Sequence, residues 1–309
     1  MNARISIKPE HKLRALIGLI RTMRPRQWTK NVIIYAGLVF DGQLLVLNSF
    51  LRVTLAFILL CLVASTIYII NDLVDIEADR QHPRKKNRPL PSGQLPKQVA
   101  MIAAVAIPAV SLAAAALFIS PQFAIVLIIY FVIHVLYSFW LKNIVIIDIM
   151  AITAGFVLRV AAGVVVVQVE NFSPWLYACT GLLALFLAIG KRRQELLLLA
   201  ENAQNVRVTY KEYNLPLLDE MLRLVMTGTF VAYLLYTVEA DTIKVANTDL
   251  ALITIPFVLY GLFRYMYLIY VRNEGSAPDE LLLQDRPLLA SILLWGLTFV
   301  GILYLPNAL

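Results

Sequence analysis

Residues 50–80 read FLRVTLAFILLCLVASTIYIINDLVDIEADR. From Val53 to Ile70 the run carries no charged side chain and is apolar all round, the pattern of a helix immersed in lipid rather than of an amphipathic helix on a soluble core. It stops at Asn71 and passes at once through Asp72, Asp75, Glu77 and Asp79. A membrane crossing that ends in concentrated acid predicts an all-α polytopic membrane protein with its chemistry at one face of the bilayer.

Further apolar stretches lie at about 31–48, 98–119, 121–141, 144–167, 174–190, 221–238, 249–271 and 287–305, which with 50–70 predict nine transmembrane helices. The 309 residues are 60% hydrophobic and 15% charged, with mean hydropathy +0.75. A soluble domain holds about 25% charged residues, so a soluble globular enzyme is excluded. The net charge of +7 is unevenly placed. Arg4, Lys8, Lys12, Arg14, Arg21, Arg24, Arg26 and Lys30 precede the first stretch, and Arg80, Arg84, Lys85, Lys86, Arg88 and Lys97 separate the second from the third. Lys142, then Lys191, Arg192, Arg193, Arg207 and Lys211, then Arg272 and Arg286 fall in the later connections of that set, whereas the opposite set holds only Arg52 and Lys244. Cytoplasmic connections accumulate Lys and Arg, so the N-terminus is expected in the cytoplasm. No nucleic acid partner is needed to explain the basic balance.

Residues 1–30 read as a cytoplasmic N-terminal segment and 31–309 as a single transmembrane domain. Within the first, Leu13, Leu16, Ile17 and Ile20 recur at helical spacing among cations. They predict a helix over 11–23 lying on the membrane surface, too short and charged to span and without a cleavage site. Cys61 and Cys179 lie in apolar runs and read as small buried hydrophobes.

At about 100° per residue, Asn71, Asp72, Asp75 and Asp79 share one helix face and Glu77 points away. Carboxylates stacked in this way repel and need a cation. Mg²⁺ takes oxygen ligands, commonly carboxylates together with substrate phosphates. A basic, proline-bounded loop follows at 82–93, HPRKKNRPLPSG, and supplies positive charge for those phosphates. The competing view is a solvated helix end whose acids pair with Arg80, Arg84, Lys85, Lys86 and Arg88.

The pattern Asn71-Asp72-x-x-Asp75-x-x-x-Asp79, followed by Asn87-Arg88-Pro89-Leu90-Pro91-Ser92-Gly93, resembles the UbiA-type superfamily of intramembrane prenyltransferases. The resemblance implies helices around a lipid-accessible central cavity, with Asn71, Asp72, Asp75 and Asp79 holding Mg²⁺ ions that bridge to a diphosphate leaving group. Asp72, Asp75 and Asp79 are then the catalytic acids. Where that superfamily carries a second aspartate-rich motif, this chain has Gly190-Lys191-Arg192-Arg193-Gln194-Glu195. Lys191, Arg192 and Glu195 share one helical face.

That replacement, with Arg24-Pro25-Arg26-Gln27-Trp28-Thr29-Lys30-Asn31 and Tyr213-x-x-x-x-Leu218-Asp219, resembles the branch that transfers phosphoribosyl to decaprenyl phosphate. The implied partners are 5-phosphoribosyl 1-pyrophosphate, a polyprenyl phosphate and the lipid bilayer of the plasma membrane, and a homo-oligomer is compatible with the sequence. Lys30, Arg84, Arg88, Lys191, Arg192 and Glu195 become candidates for binding the diphosphate and phosphoribosyl groups. Lys142, Asp148, Arg159 and Tyr137 become candidates for the lipid phosphate or the cavity wall. Lys142 reads equally as a snorkelling helix end, Arg193 as an anchor on the cytoplasmic face, and Asp219 with Arg223 as an i, i+4 helix pair. Two rivals stay open: a prenyltransferase using a prenyl diphosphate and a small acceptor, and a lipid transporter.

Overall fold

The computed structural model describes residues 9–81, 85–169, 173–199, 208–239, 249–274 and 278–304, with helices and no β-strand among them. In order these are α1 (Pro9–Thr22), a 3₁₀ segment (Pro25–Tyr35), α2 (Ala36–Phe40), α3 (Leu47–Val74), α4 (Ile76–Gln81), α5 (Lys97–Ala114), α6 (Pro121–Phe139), α7 (Ile147–Val167), α8 (Pro174–Leu199), α9 (Leu215–Glu239), α10 (Ile255–Tyr270), α11 (Pro278–Gln284) and α12 (Arg286–Tyr304). Eight helical stretches among the described residues are long and apolar enough to cross a membrane, and all but the first predicted stretch have a counterpart. Side chains such as Ile102, Val105, Val110, Leu117 and Phe118 stand exposed on them. Apolar surface of that extent on a multi-pass membrane protein is lipid-facing.

The stretch 31–48 departs from the expectation of a continuous first crossing. Its apolar run is interrupted by Asp41-Gly42-Gln43, where Gly42 takes φ +70°, a conformation glycine adopts at no steric cost. Gln43 donates to Asp41 at 2.5 Å and Ser49 donates to Gln43 at 2.6 Å. These side-chain bonds close a polar turn between α2 and α3, and the residues before it wind as a 3₁₀ segment and one short helix.

The chain gathers into two compact units, Met1–Val32 with Thr54–Ser138, and Ile33–Val53 with Phe139–Leu309. In the first, Ile69, Ile76, Leu90, Leu95, Ala100 and Ala103 form a buried cluster, with Leu19, Met23 and Leu73 against it. Thus α1 packs by Leu19 and Met23, while Leu13, Leu16, Ile17 and Ile20 form an exposed apolar stripe on its other side. In the second, Ile149, Phe186, Tyr210, Tyr213, Leu218, Leu222, Tyr265 and Ile269 form the main core. Residues 34–37 cross α7 at Gly163, where an added Cβ would lie 1.9 Å from the Ile34 carbonyl oxygen. Small residues allow such a close approach of backbones within a membrane.

Candidate active site

In the first unit α3 runs almost unbroken into α4. The amide of Asp75 donates to Asn71 O at 2.9 Å and that of Asp79 to Asp75 O at 2.8 Å, so the helical phase predicted for the acids is kept across the bend. Asp72 and Asp79 are both 2% exposed. Arg88 Nη1 donates to Asp72 Oδ1 at 3.2 Å and to Asp79 Oδ2 at 2.6 Å. Arg24 Nη2 donates to Asp72 Oδ1 at 2.7 Å, and Lys85 Nζ lies 3.7 Å from Asp79. Two carboxylates buried so deeply are tolerable only when paired with positive charge.

The basic loop is built to present Arg88. Leu90 and Leu95 are buried against Ile69 and Ile76. Ser92 N donates to Arg88 O at 3.0 Å and Leu95 N to Pro89 O at 2.8 Å, with Gly93 at φ +78° completing the turn. Arg24 was not among the predicted site residues. Its signal was its place before Pro25, where the α-helical region is disfavoured; it takes φ +52°. Its guanidinium also lies 4.8 Å from the Tyr68 ring centroid.

These residues suit a hard divalent cation. The donors are all oxygens, and Asp72 and Asp79 already share one cationic group. Among the described residues no three His, Cys, Asp or Glu side chains converge as a ready-made cage; Asp72 and Asp79 converge on Arg88 instead. Asn71 and Asp75, both half-buried, complete the predicted set without joining those ion pairs. Lys30 lies half-buried on the 25–35 segment and Tyr137 half-buried near the end of α6. Arg84 and His82 lie outside the described residues.

The second unit holds a separate polar cluster on α8. Lys191, Arg192 and Glu195 do meet on one face: Arg192 Nη1 donates to Glu195 Oε2 at 2.9 Å and Lys191 Nζ lies 3.8 Å from Oε1. Arg192, however, is 2% exposed and turns inward, its Nε donating to Asp148 Oδ2 at 2.9 Å. Tyr210 donates to Glu195, and Tyr213 donates to Asp148 Oδ1 at 2.8 Å. Arg192 therefore spends its charge on the protein's own acids, and Lys191, with a side chain 41% exposed, is the cation of this segment that meets water.

Arg193 is no exposed anchor. It is buried, donates to Asp219 at 2.6 Å and lies 4.1 Å from the Tyr270 ring centroid. The expected Asp219–Arg223 pair is thereby replaced, and Arg223 donates instead to Glu220 at 2.8 Å. Asp219 is drawn to α8 and Tyr270 because it starts a face that packs, whereas Arg223 and Glu220 stay exposed. On α7, Asp148 is fully buried, and Arg159, also buried, lies 5.0 Å from the Phe156 ring centroid. Lys142 is half-buried in the Leu141–Asn143 turn and makes no ion pair among the described residues.

Residues 32–284 match the model of the UbiA prenyltransferase family. The chain is 32% identical over 292 residues to a decaprenyl-phosphate phosphoribosyltransferase of Corynebacterium glutamicum, covering 93% of this chain and 87% of the relative. It is 30% identical over 286 residues to a protein of the same name from Mycobacterium tuberculosis, covering 90% and 91%. In fold it is similar to a UbiA homolog from Archaeoglobus fulgidus bound to GPP and Mg²⁺, with TM-score 0.68 and 18% identity over 94% of this chain and all of that one.

Proposed function

Because the chain belongs to the UbiA prenyltransferase family, we propose that it transfers the 5-phosphoribosyl group of 5-phosphoribosyl 1-pyrophosphate to a polyprenyl phosphate of the decaprenyl type, releasing pyrophosphate. The observation that carries this reading is the similarity, over 93% of the chain, to a decaprenyl-phosphate phosphoribosyltransferase. The exposed cation Lys191 suits a donor with a phosphate well separated from its leaving group.

Asp72, Asp75 and Asp79, with Asn71, would hold Mg²⁺. A divalent ion held by these residues would supply positive charge against the departing pyrophosphate. Arg88 and Arg24, held by the buried acids, act as preorganised cations for the same leaving group, and Lys30 and Arg84 are proposed to add to their charge. Lys191 is assigned to the phosphate of the phosphoribosyl group, with Glu195 and Arg192 fixing its position, and Lys142 to the phosphate of the lipid. Tyr137 and Arg159 are assigned to the cavity wall. The lipid phosphate is already an anion, so attack on the anomeric carbon needs no general base. This explains a polar set made of acids, cations and tyrosines.

We place the acidic cluster on the cytoplasmic side of the plasma membrane, with a cytoplasmic N-terminus and α1 on the bilayer surface. The Lys and Arg asymmetry supports that orientation, and so does a water-soluble, polyanionic donor. The nine-crossing count rests on the hydropathy pattern, with 31–48 as the additional segment.

The test uses purified full-length protein in lipid nanodiscs. Pyrophosphate release should require phosphoribosyl pyrophosphate, polyprenyl phosphate and Mg²⁺ together. Asp75→Asn should abolish it while the protein still inserts and purifies. Full activity in that variant would remove the acids from the metal-binding role.

A further inference from the structure

Ile146 has φ +68° and ψ −47°, and Ile147 N donates to Val145 O at 2.8 Å. The chain therefore enters α7 through a γ-turn of the rare, strained hand. A β-branched residue takes that conformation only where its surroundings hold it there. The holder is Tyr213. Its hydroxyl accepts from Ile146 N at 2.8 Å and donates to Asp148 Oδ1 at 2.8 Å. Burial, with the Asp148 bond, pushes the Tyr213 phenol well above its ordinary pKa, so the hydroxyl keeps its proton at any working pH.

Two cation-bearing segments meet at this hydroxyl. Before the γ-turn lies the Leu141–Asn143 turn with Lys142, against which the Val208–Lys211 turn packs. Beyond Asp148 lies Arg192, which in turn holds Glu195 beside Lys191. The connection between α8 and α9, which supplies Tyr213, thus pins the start of α7 and the charged face of α8 at once.

We propose that Tyr213 is a positioning residue for the transfer: its hydroxyl holds the γ-turn at Ile146 and the Asp148–Arg192 pair in one register, and so fixes Lys142 and Lys191 where they meet phosphate. What those lysines bind rests on the functional reading above; the anchoring does not.

Tyr213→Phe keeps the ring in its apolar cluster and removes the hydroxyl. In the full-length variant in nanodiscs, hydrogen exchange at the Ile146 amide should be at least about tenfold faster, as a local opening released from its bond. The KM values for phosphoribosyl pyrophosphate and polyprenyl phosphate should rise about tenfold with kcat within about twofold, the signature of lost binding alignment. Unchanged exchange at Ile146 would overturn the proposal. So would a loss of maximal rate in proportion to folded protein with KM unaltered, which is what a purely structural role produces. Should the wild-type protein transfer no phosphoribosyl group, the functional reading fails. The exchange comparison still decides the anchor: faster exchange in the variant supports it and equal exchange refutes it.

Discussion

Arg192 Nε lies 2.9 Å from Asp148 Oδ2, with both side chains almost wholly buried. The pair joins α7 to α8 across 44 positions of sequence. Removing one partner of such a pair leaves an uncompensated charge and costs about 3–5 kcal/mol, whereas replacing both by apolar groups of similar volume is close to neutral. Asp148→Leu alone should therefore lower the melting temperature sharply. Asp148→Leu with Arg192→Met should recover much of it without recovering transfer. Equal melting of the single and double variants would show that the pair is not coupled.

Arg88 bridges Asp72 and Asp79, so it competes with any divalent cation for those carboxylates. Arg88→Gln should reduce transfer by about 10²-fold, the scale for losing one preorganised charge donor. It should also make thermal stability more dependent on Mg²⁺ than in the wild type. Identical Mg²⁺-induced shifts in the two proteins would mean that Arg88 and the metal do not share ligands.

At Gly163 a methyl group would meet the Ile34 carbonyl oxygen at 1.9 Å, whereas at Gly181 the nearest atom is Val157 Cγ2 at 3.5 Å. The first contact cannot relax because it is backbone against backbone. Gly163→Ala should cost several kcal/mol, beyond the usual overpacking range of about 1–3 kcal/mol, and Gly181→Ala should be near neutral. Size-exclusion profiles and melting curves of the two variants check this; equal behaviour would contradict the close approach of 34–37 to α7.

Asp285, between α11 and α12, accepts two bonds from Arg264, at 3.1 and 2.8 Å. The hydrogen-bonded guanidinium holds its carboxyl below the usual carboxylate range. A group whose folded pKa is depressed adds stability that is present above its unfolded value of about 3.9 and lost as pH falls through the folded pKa. Melting temperatures of wild type and Asp285→Asn should differ at neutral pH and converge below about pH 4. A constant difference down to acid pH would exclude the ion pair as its source.

The membrane class and the acidic motif were legible because both are local: an apolar run has a length, and a helix has a phase. The eight stretches from 50–70 onward need no more than that, apart from their end points. The break at Asp41-Gly42-Gln43 carried a turn signal, but the surrounding hydropathy outweighed it. Pairing was less legible. Asp219 and Arg223 sit one turn apart, yet Asp219 pairs with Arg193, because tertiary packing decides which side of a helix is buried. Arg24 and Tyr213 reach their acids over 48 and 65 positions, a relation that spacing along the chain does not encode.

Which donor and acceptor the enzyme uses can be read from one pair of parallel reactions. Purified protein in nanodiscs would be given ribose-labelled phosphoribosyl pyrophosphate with decaprenyl phosphate, and in parallel a labelled prenyl diphosphate with the same acceptor, each with Mg²⁺ or with EDTA. A Mg²⁺-dependent, lipid-extractable ribose product is expected, with no consumption of the prenyl diphosphate. Consumption of the prenyl diphosphate, with all ribose label left in the aqueous phase, would contradict the proposed transfer.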